Sequence, residues 1–212
     1  MNWFLTTLIA GITSFIATNI DDILILMLFF SKKQVNFGIR QIVTGQYLGF
    51  TILILLSLPG LFGGLLVPKA WIGLLGLVPI YIGIKSLIKK EDENDEIQLI
   101  SSETSSSPKL LSKILSKEIY SVAAVTIANG GDNIGIYVPL FASGSLIEFW
   151  LLVGIFYIML GIWCYIAFLL TRQPNLARFL THYGEKITPW ILITLGIFII
   201  IENKSYLLFT NF

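Results

Sequence analysis

Between Trp3 and Phe30 the chain carries no Lys, Arg, His or Glu, and its only ionisable side chains there are Asp21 and Asp22. A helix needs about 20 mostly apolar residues to cross a bilayer. This run is long enough, and five more follow: Gln41 to Gly64, Trp71 to Ile88, Ile119 to Phe141, Leu146 to Leu170, and Ile187 to Ile201. Composition agrees. Charged residues make up 13% of the 212-residue chain, against about 25% in a soluble domain, and mean hydropathy is +0.82. The expected fold is all-α and polytopic, with six transmembrane helices. Trp3, Phe4, Trp71, Trp150 and Trp190 fall near the ends of these runs, where aromatic residues anchor a helix to the interface.

Orientation follows from the basic residues, which collect on the cytoplasmic side. Lys32, Lys33 and Arg40 follow the first span. Lys85, Lys89, Lys90, Lys109, Lys113 and Lys117 follow the third, and Arg172, Arg178 and Lys186 the fifth. Only Lys69 and Lys204 remain for the other side. Both termini are therefore expected outside.

The interval 89–118 holds an acidic run (Glu91, Asp92, Glu93, Asp95, Glu96) and then a serine-rich stretch. It is too polar to bury a core and reads as a solvated cytoplasmic linker; metal capture by its acids is the functional alternative. It separates one three-helix unit, residues 1–88, from a second, residues 119–212. The two units share a motif. Ala17-Thr18-Asn19-Ile20-Asp21-Asp22-Ile23 aligns without gaps to Ala128-Asn129-Gly130-Gly131-Asp132-Asn133-Ile134. Three spans per unit is an odd number, so the second unit enters from the opposite side. Inverted repeats of this kind recur in secondary transporters, with the substrate site near the midplane.

Asp21, Asp22 and Asp132 are the acids that lie deep inside spans. A charged Asp at a helix centre costs on the order of 3 kcal/mol on insertion scales. No Lys, Arg or His within a span suggests a partner, so these groups are expected to hold protons, a cation, or each in turn. Asn19 and Thr18 before the first pair, and Asn129 and Asn133 around Asp132, add the amide and hydroxyl oxygens that hard cations accept. The same polar residues can also serve as interhelical hydrogen-bond partners. Thr44, Gln46, Tyr47, Thr51 and Thr126 read as packing or pore lining. Gly45, Gly49, Gly154 and Gly161 read as close-packing positions, and Pro59, Pro79 and Pro139 as helix kinks. Gly130-Gly131 is a weak point where the fourth span can unwind.

Several classes are excluded. A net charge of +1 gives no field for nucleic acid. One cysteine, Cys164, and one histidine, His182, rule out a disulfide framework and a thiolate or paired-histidine metal site. No GxxxxGK[ST] segment supplies a phosphate loop, so no nucleotide cofactor is expected.

With the two Asp motifs, the length and the polar central loop together, the chain resembles the cadmium resistance transporter (CadD-like) family within the lysine-exporter superfamily. The resemblance implies export of a divalent metal ion, cadmium by family name, across a bacterial plasma membrane. The carboxylate and amide set suits manganese or zinc as well. The mechanism that fits best is exchange of metal for protons on Asp21, Asp22 and Asp132 as the two halves rock, with Asn19, Asn129, Asn133 and Thr18 as neutral ligands. Two other readings stay open. One is an amino-acid or organic-solute exporter on the same scaffold, although the spans offer no internal Lys or Arg for a carboxylate. The other is an intramembrane aspartyl protease using Asp21 and Asp132, although Asn129 stands where its Gly-x-Gly-Asp motif has the first glycine.

Overall fold

The computed structural model describes residues 3–31, 38–88 and 116–210, and every regular element among them is helical. The acidic run and the serine-rich stretch of the expected linker lie outside the described residues. Its last two residues, Lys117 and Glu118, belong to a helix instead.

The first expected span is broken. Helix α1 (Trp3–Asn19) and α2 (Asp22–Ser31) meet at 60°. The cause is local. Thr18 Oγ1 donates to the Ser14 carbonyl at 3.1 Å, and Asn19 Nδ2 donates to the Phe15 carbonyl at 2.8 Å. Polar side chains that bond back to the preceding turn compete with the helical ladder and bend it. The Leu24 N–H then closes onto the Asp21 carbonyl at 3.1 Å to start the second segment.

Helix α3 (Ile39–Leu66) runs through Pro59. It is followed by α4 (Lys69–Ile72), one turn of 3-10 helix (Gly73–Gly76) and α5 (Leu77–Ile88), a helical run long and apolar enough to cross a bilayer. The fourth expected span is broken at Gly130 into α6 (Lys117–Asn129) and α7 (Gly131–Ser143). Helix α8 (Leu146–Leu170) has the expected limits. It begins at a capping box in which the Ser145 N–H donates to Glu148 Oε2 at 2.6 Å and Glu148 N–H donates to Ser145 Oγ. The chain ends in α9 (Pro174–Glu202) and the short α10 (Leu207–Thr210).

The last long helix differs from expectation. Arg178 and Lys186, read as loop residues, lie in α9. The polar first turns of α9 carry too little apolar surface to register as a span, yet they contain nothing that stops a helix before Pro189. Among the described residues, α3, the Lys69–Ile88 run, α8 and His182–Glu202 are long and apolar enough to cross a membrane, and the bent α1–α2 pair, taken as one span, would make a fifth.

Helix α3 packs along both α6 and α7, α8 packs along both α1 and α2, and α5 packs on α9. Small residues permit the closest of these approaches. A Cβ on Gly45 would lie 2.7 Å from the Ile119 carbonyl, and one on Gly49 would lie 2.7 Å from Thr126 Cβ. Further along α3, Gly60 and Gly64 sit directly against the Val138 and Ala142 carbonyls of α7. Gly154 does not have the expected packing role, since nothing lies within 4 Å of its missing Cβ. At the centre, Phe15, Phe50, Tyr137 and Phe156 are fully buried, with the Tyr137 and Phe156 rings stacked at 4.6 Å. Outward faces carry Trp71, Tyr81, Trp150, Ile158 and Tyr165, all exposed. So apolar an exterior matches a lipid surround.

Candidate functional site

Both Asp motifs fall on helix breaks. Asp22 opens α2 and Asp132 lies in the first turn of α7. A helix N-terminus presents unpaired N–H groups and a partial positive charge, which favour a carboxylate. This is the partner that a linear search for Lys, Arg or His could not find. The Asn133 N–H donates to Asp132 Oδ1 at 2.9 Å, anchoring that carboxylate in its own turn.

The two motifs meet in space. Asn129, the last residue of α6, donates its side-chain amide to Asp22 Oδ1 at 2.6 Å. In α3, Gln46 Oε1 accepts from Thr126 Oγ1 of α6 at 2.6 Å, and Gln46 lies close enough to Asp22 to act on its carboxyl group. Asp21 and Asp132 stand close enough to Asp22 to act on it electrostatically, and Asp21 acts on Asp132.

The three acids are not equivalent. Asp22 is 5% exposed, Asp132 is half-buried, and Asp21 is exposed at the break. Aligned position gives Asp21 and Asp132 equal rank, yet the buried link is made by Asp22. Among the described residues, no three His, Cys, Asp or Glu side chains converge into a metal-holding group. The carboxylates share a region without forming a closed cage.

The neutral candidates are placed as follows. Thr18 and Asn19 are buried at the end of α1, and Asn133 is buried in α7. Thr18 Oγ1 lies 3.0 Å from the Tyr137 hydroxyl. Asn19 Nδ2 has the Phe15 carbonyl, Thr18 Oγ1 and the Tyr137 hydroxyl within reach, at 2.8, 2.8 and 3.2 Å. The Asn19 backbone carbonyl accepts from the Trp163 indole N–H at 2.5 Å. Two buried amide oxygens, Asn19 Oδ1 and Asn133 Oδ1, have no hydrogen-bond partner. Native interiors satisfy nearly all such atoms, so an orphan oxygen in each motif marks a place where something else can bind.

Sequence reasoning passed over Tyr137 and Trp163, and it placed Gln46 and Thr126 among packing residues. Tyr137 carried a signal, since it lies four residues after Asn133 and so on the same helical face. Trp163 carried none. Its role depends on α8 packing along α1.

A family model for cadmium resistance transporters matches residues 15–212, a stretch that includes both Asp motifs, α3, α8 and α9. The chain belongs to the cadmium resistance transporter family. As a member of that family with several membrane-length apolar helices, it is a multi-pass membrane protein of the transporter class. Comparison with curated proteins and with solved structures finds no match.

Proposed function

We propose that this cadmium resistance transporter exports a divalent cation, Cd²⁺ in the first instance, from the cytoplasm in exchange for protons. The site is formed by Asp21, Asp22 and Asp132, with Thr18, Asn19, Asn129 and Asn133 as neutral neighbours. The observation that carries this reading is the Asn129–Asp22 hydrogen bond at 2.6 Å, which ties the two motifs together at two helix breaks. Secondary transporters bind ions where discontinuous helices from two repeats meet.

The packing pattern supports an inverted repeat with six spans. Exchange α1–α2 for α6–α7, α3 for α8, and α5 for α9. The contact of α3 with α6 and α7 then becomes the contact of α8 with α1 and α2, and the contact of α2 with α9 becomes that of α7 with α5, while the α1–α9 contact has no such counterpart among the described residues. In this arrangement both termini face outward, and the membrane is the bacterial plasma membrane.

The exchange step rests on the carboxylates. Metal ligands must be deprotonated, so metal binding releases protons and protons compete for the same oxygens. With the site open to the cytoplasm, the metal displaces protons and draws the carboxylates together. Opening to the outside lets protons return and the metal leave. Occupation requires Asp22 to exchange the Asn129 amide donor for the cation.

The test is flux of Cd²⁺ in proteoliposomes, with a pH-sensitive dye inside and the membrane potential clamped. Cd²⁺ movement coupled to an opposite proton movement is expected. Cd²⁺ flux without a dye response at any pH defeats the exchange mechanism, and no flux above protein-free vesicles defeats the transport reading for this ion.

A further inference from the structure

The hydroxyl of Tyr137, on α7, lies outside both motifs yet touches Thr18 and Asn19 of the first. Its ring is fully buried, stacked on Phe156 at 4.6 Å and set edge-on to Phe50 at 6.0 Å. The aromatic cluster fixes the ring, so the hydroxyl has one place to go, between Thr18 and Asn19.

Proton counting gives the direction of these bonds. Thr18 has one hydroxyl proton, directed to the Ser14 carbonyl at 3.1 Å. The contact between Thr18 Oγ1 and Tyr137 then requires the phenol to donate and the threonine to accept. Asn19 is constrained in turn. The Phe15 carbonyl, 2.8 Å from Nδ2, can only accept. Flipping the amide would set two oxygens against each other, so the NH₂ must face Phe15, Thr18 and Tyr137, and Oδ1 must face the opposite way. That oxygen belongs to a residue of 0% exposure and has no partner. Leaving such an atom unbonded forfeits its hydration without replacement. A cation bound within reach would satisfy it.

We infer that Tyr137 is a positioning residue for metal binding: through Thr18 and the Asn19 amide group it holds Asn19 Oδ1 in the orientation that presents it to the transported cation. The inference rests on the proposed metal site and adds to it a residue that touches no metal. Tyr137 rides on α7, one turn beyond Asn133, so the second half of the chain sets the ligand geometry of the first. The oxygen supplied is neutral and hard, the kind that complements carboxylates around a divalent ion of calcium-like size.

The experiment measures initial Cd²⁺ uptake rates into proteoliposomes as a function of Cd²⁺ concentration, for wild type, Tyr137→Phe, Thr18→Val, their double variant and Asp22→Ala. Tyr137→Phe keeps the ring and loses only the hydroxyl. The half-saturation concentration is expected to rise by about tenfold, the change that ~1.4 kcal/mol of binding produces, with the maximal rate within twofold of wild type. Thr18→Val is expected to do the same, and the double variant to be no worse than either single change, as for residues acting through one network. An unchanged half-saturation in Tyr137→Phe or in Thr18→Val, with Asp22→Ala inactive, overturns the inference and leaves the site standing. Additive losses in the double variant also overturn it. If Asp22→Ala transports as wild type does, the site itself is wrong and the inference falls with it. Should Tyr137→Phe not fold, Tyr137→Met, which likewise lacks the hydroxyl, takes its place with the same expected and overturning outcomes.

Discussion

Asn129 and Asp22 are 107 residues apart in the chain and 2.6 Å apart in space, amide nitrogen to carboxylate oxygen. Each stands at a helix break, Asn129 closing α6 and Asp22 opening α2. The contact gives one half of the chain direct mechanical hold on the carboxyl group of the other. A hydrogen bond of this kind contributes about 0.5–1.5 kcal/mol net. That is enough to bias the two halves toward each other and weak enough for a divalent ion to displace.

Asp22→Ala is therefore expected to abolish cadmium tolerance in cells that depend on this transporter, with normal amounts of protein in the membrane. Asp22→Asn, which keeps size and hydrogen bonding but loses the charge, is expected to weaken transport or shift ion preference. Growth on graded Cd²⁺, read against immunodetected membrane protein, checks both. Tolerance equal to wild type in Asp22→Ala contradicts the assignment.

The two glycines of the second motif should respond oppositely to alanine. A Cβ on Gly130 runs into the side chain of Leu53, which is fully buried and has no room to move, whereas nothing lies within 4 Å of a Cβ on Gly131. Overpacking of this kind costs about 1–3 kcal/mol. Gly130→Ala is expected to lower the thermal unfolding midpoint in detergent and to impair flux. Gly131→Ala is expected to shift neither by much. Equal behaviour of the two variants would count against the geometry of the break.

A similar contrast holds on α3. Gly60 and Gly64 abut the Val138 and Ala142 carbonyls, where a methyl group meets backbone that cannot step aside, while Gly63 faces open space. Gly60→Ala and Gly64→Ala should each destabilise by about 1–3 kcal/mol, and Gly63→Ala should be silent in the same unfolding assay. Separation of α3 from α7 carries Tyr137 with it, so the two damaging variants should lose transport as well.

Topology is tested by single cysteines in a Cys164→Ala background, since the native thiol is buried. Reagent added outside intact cells should label positions 69 and 145 and leave 36, 105 and 176 unlabelled. Labelling at 105 from outside would reverse the second half and remove the inverted repeat.

Much of this architecture was legible from residue order because lipid imposes a simple rule. A backbone in hydrocarbon must satisfy its own hydrogen bonds, so long apolar runs become helices wherever they occur. The limits of α8 follow directly from its sequence. The same rule made the acids conspicuous, because few side chains in such runs can ionise. Where the sequence failed, the competing influence was local or tertiary. Arg178 and Lys186 were read as loop residues because polarity ends a membrane span but does not end a helix.

The sequence by itself determined that the chain is helical and membrane-spanning, and it marked two Asp motifs as the candidate site. Tertiary structure alone decided that Asp22 rather than Asp21 is the buried link to Asn129, that Gln46 pairs with Thr126, and that Tyr137 reaches Asn19. The physical reason is directional. Composition and spacing set how much polar surface a helix carries, but a hydrogen bond needs a donor and acceptor within about 3 Å and aligned. In this protein that alignment is made by glycines on α3 that let α6 and α7 close in, and by a 60° bend that turns α2 away from α1.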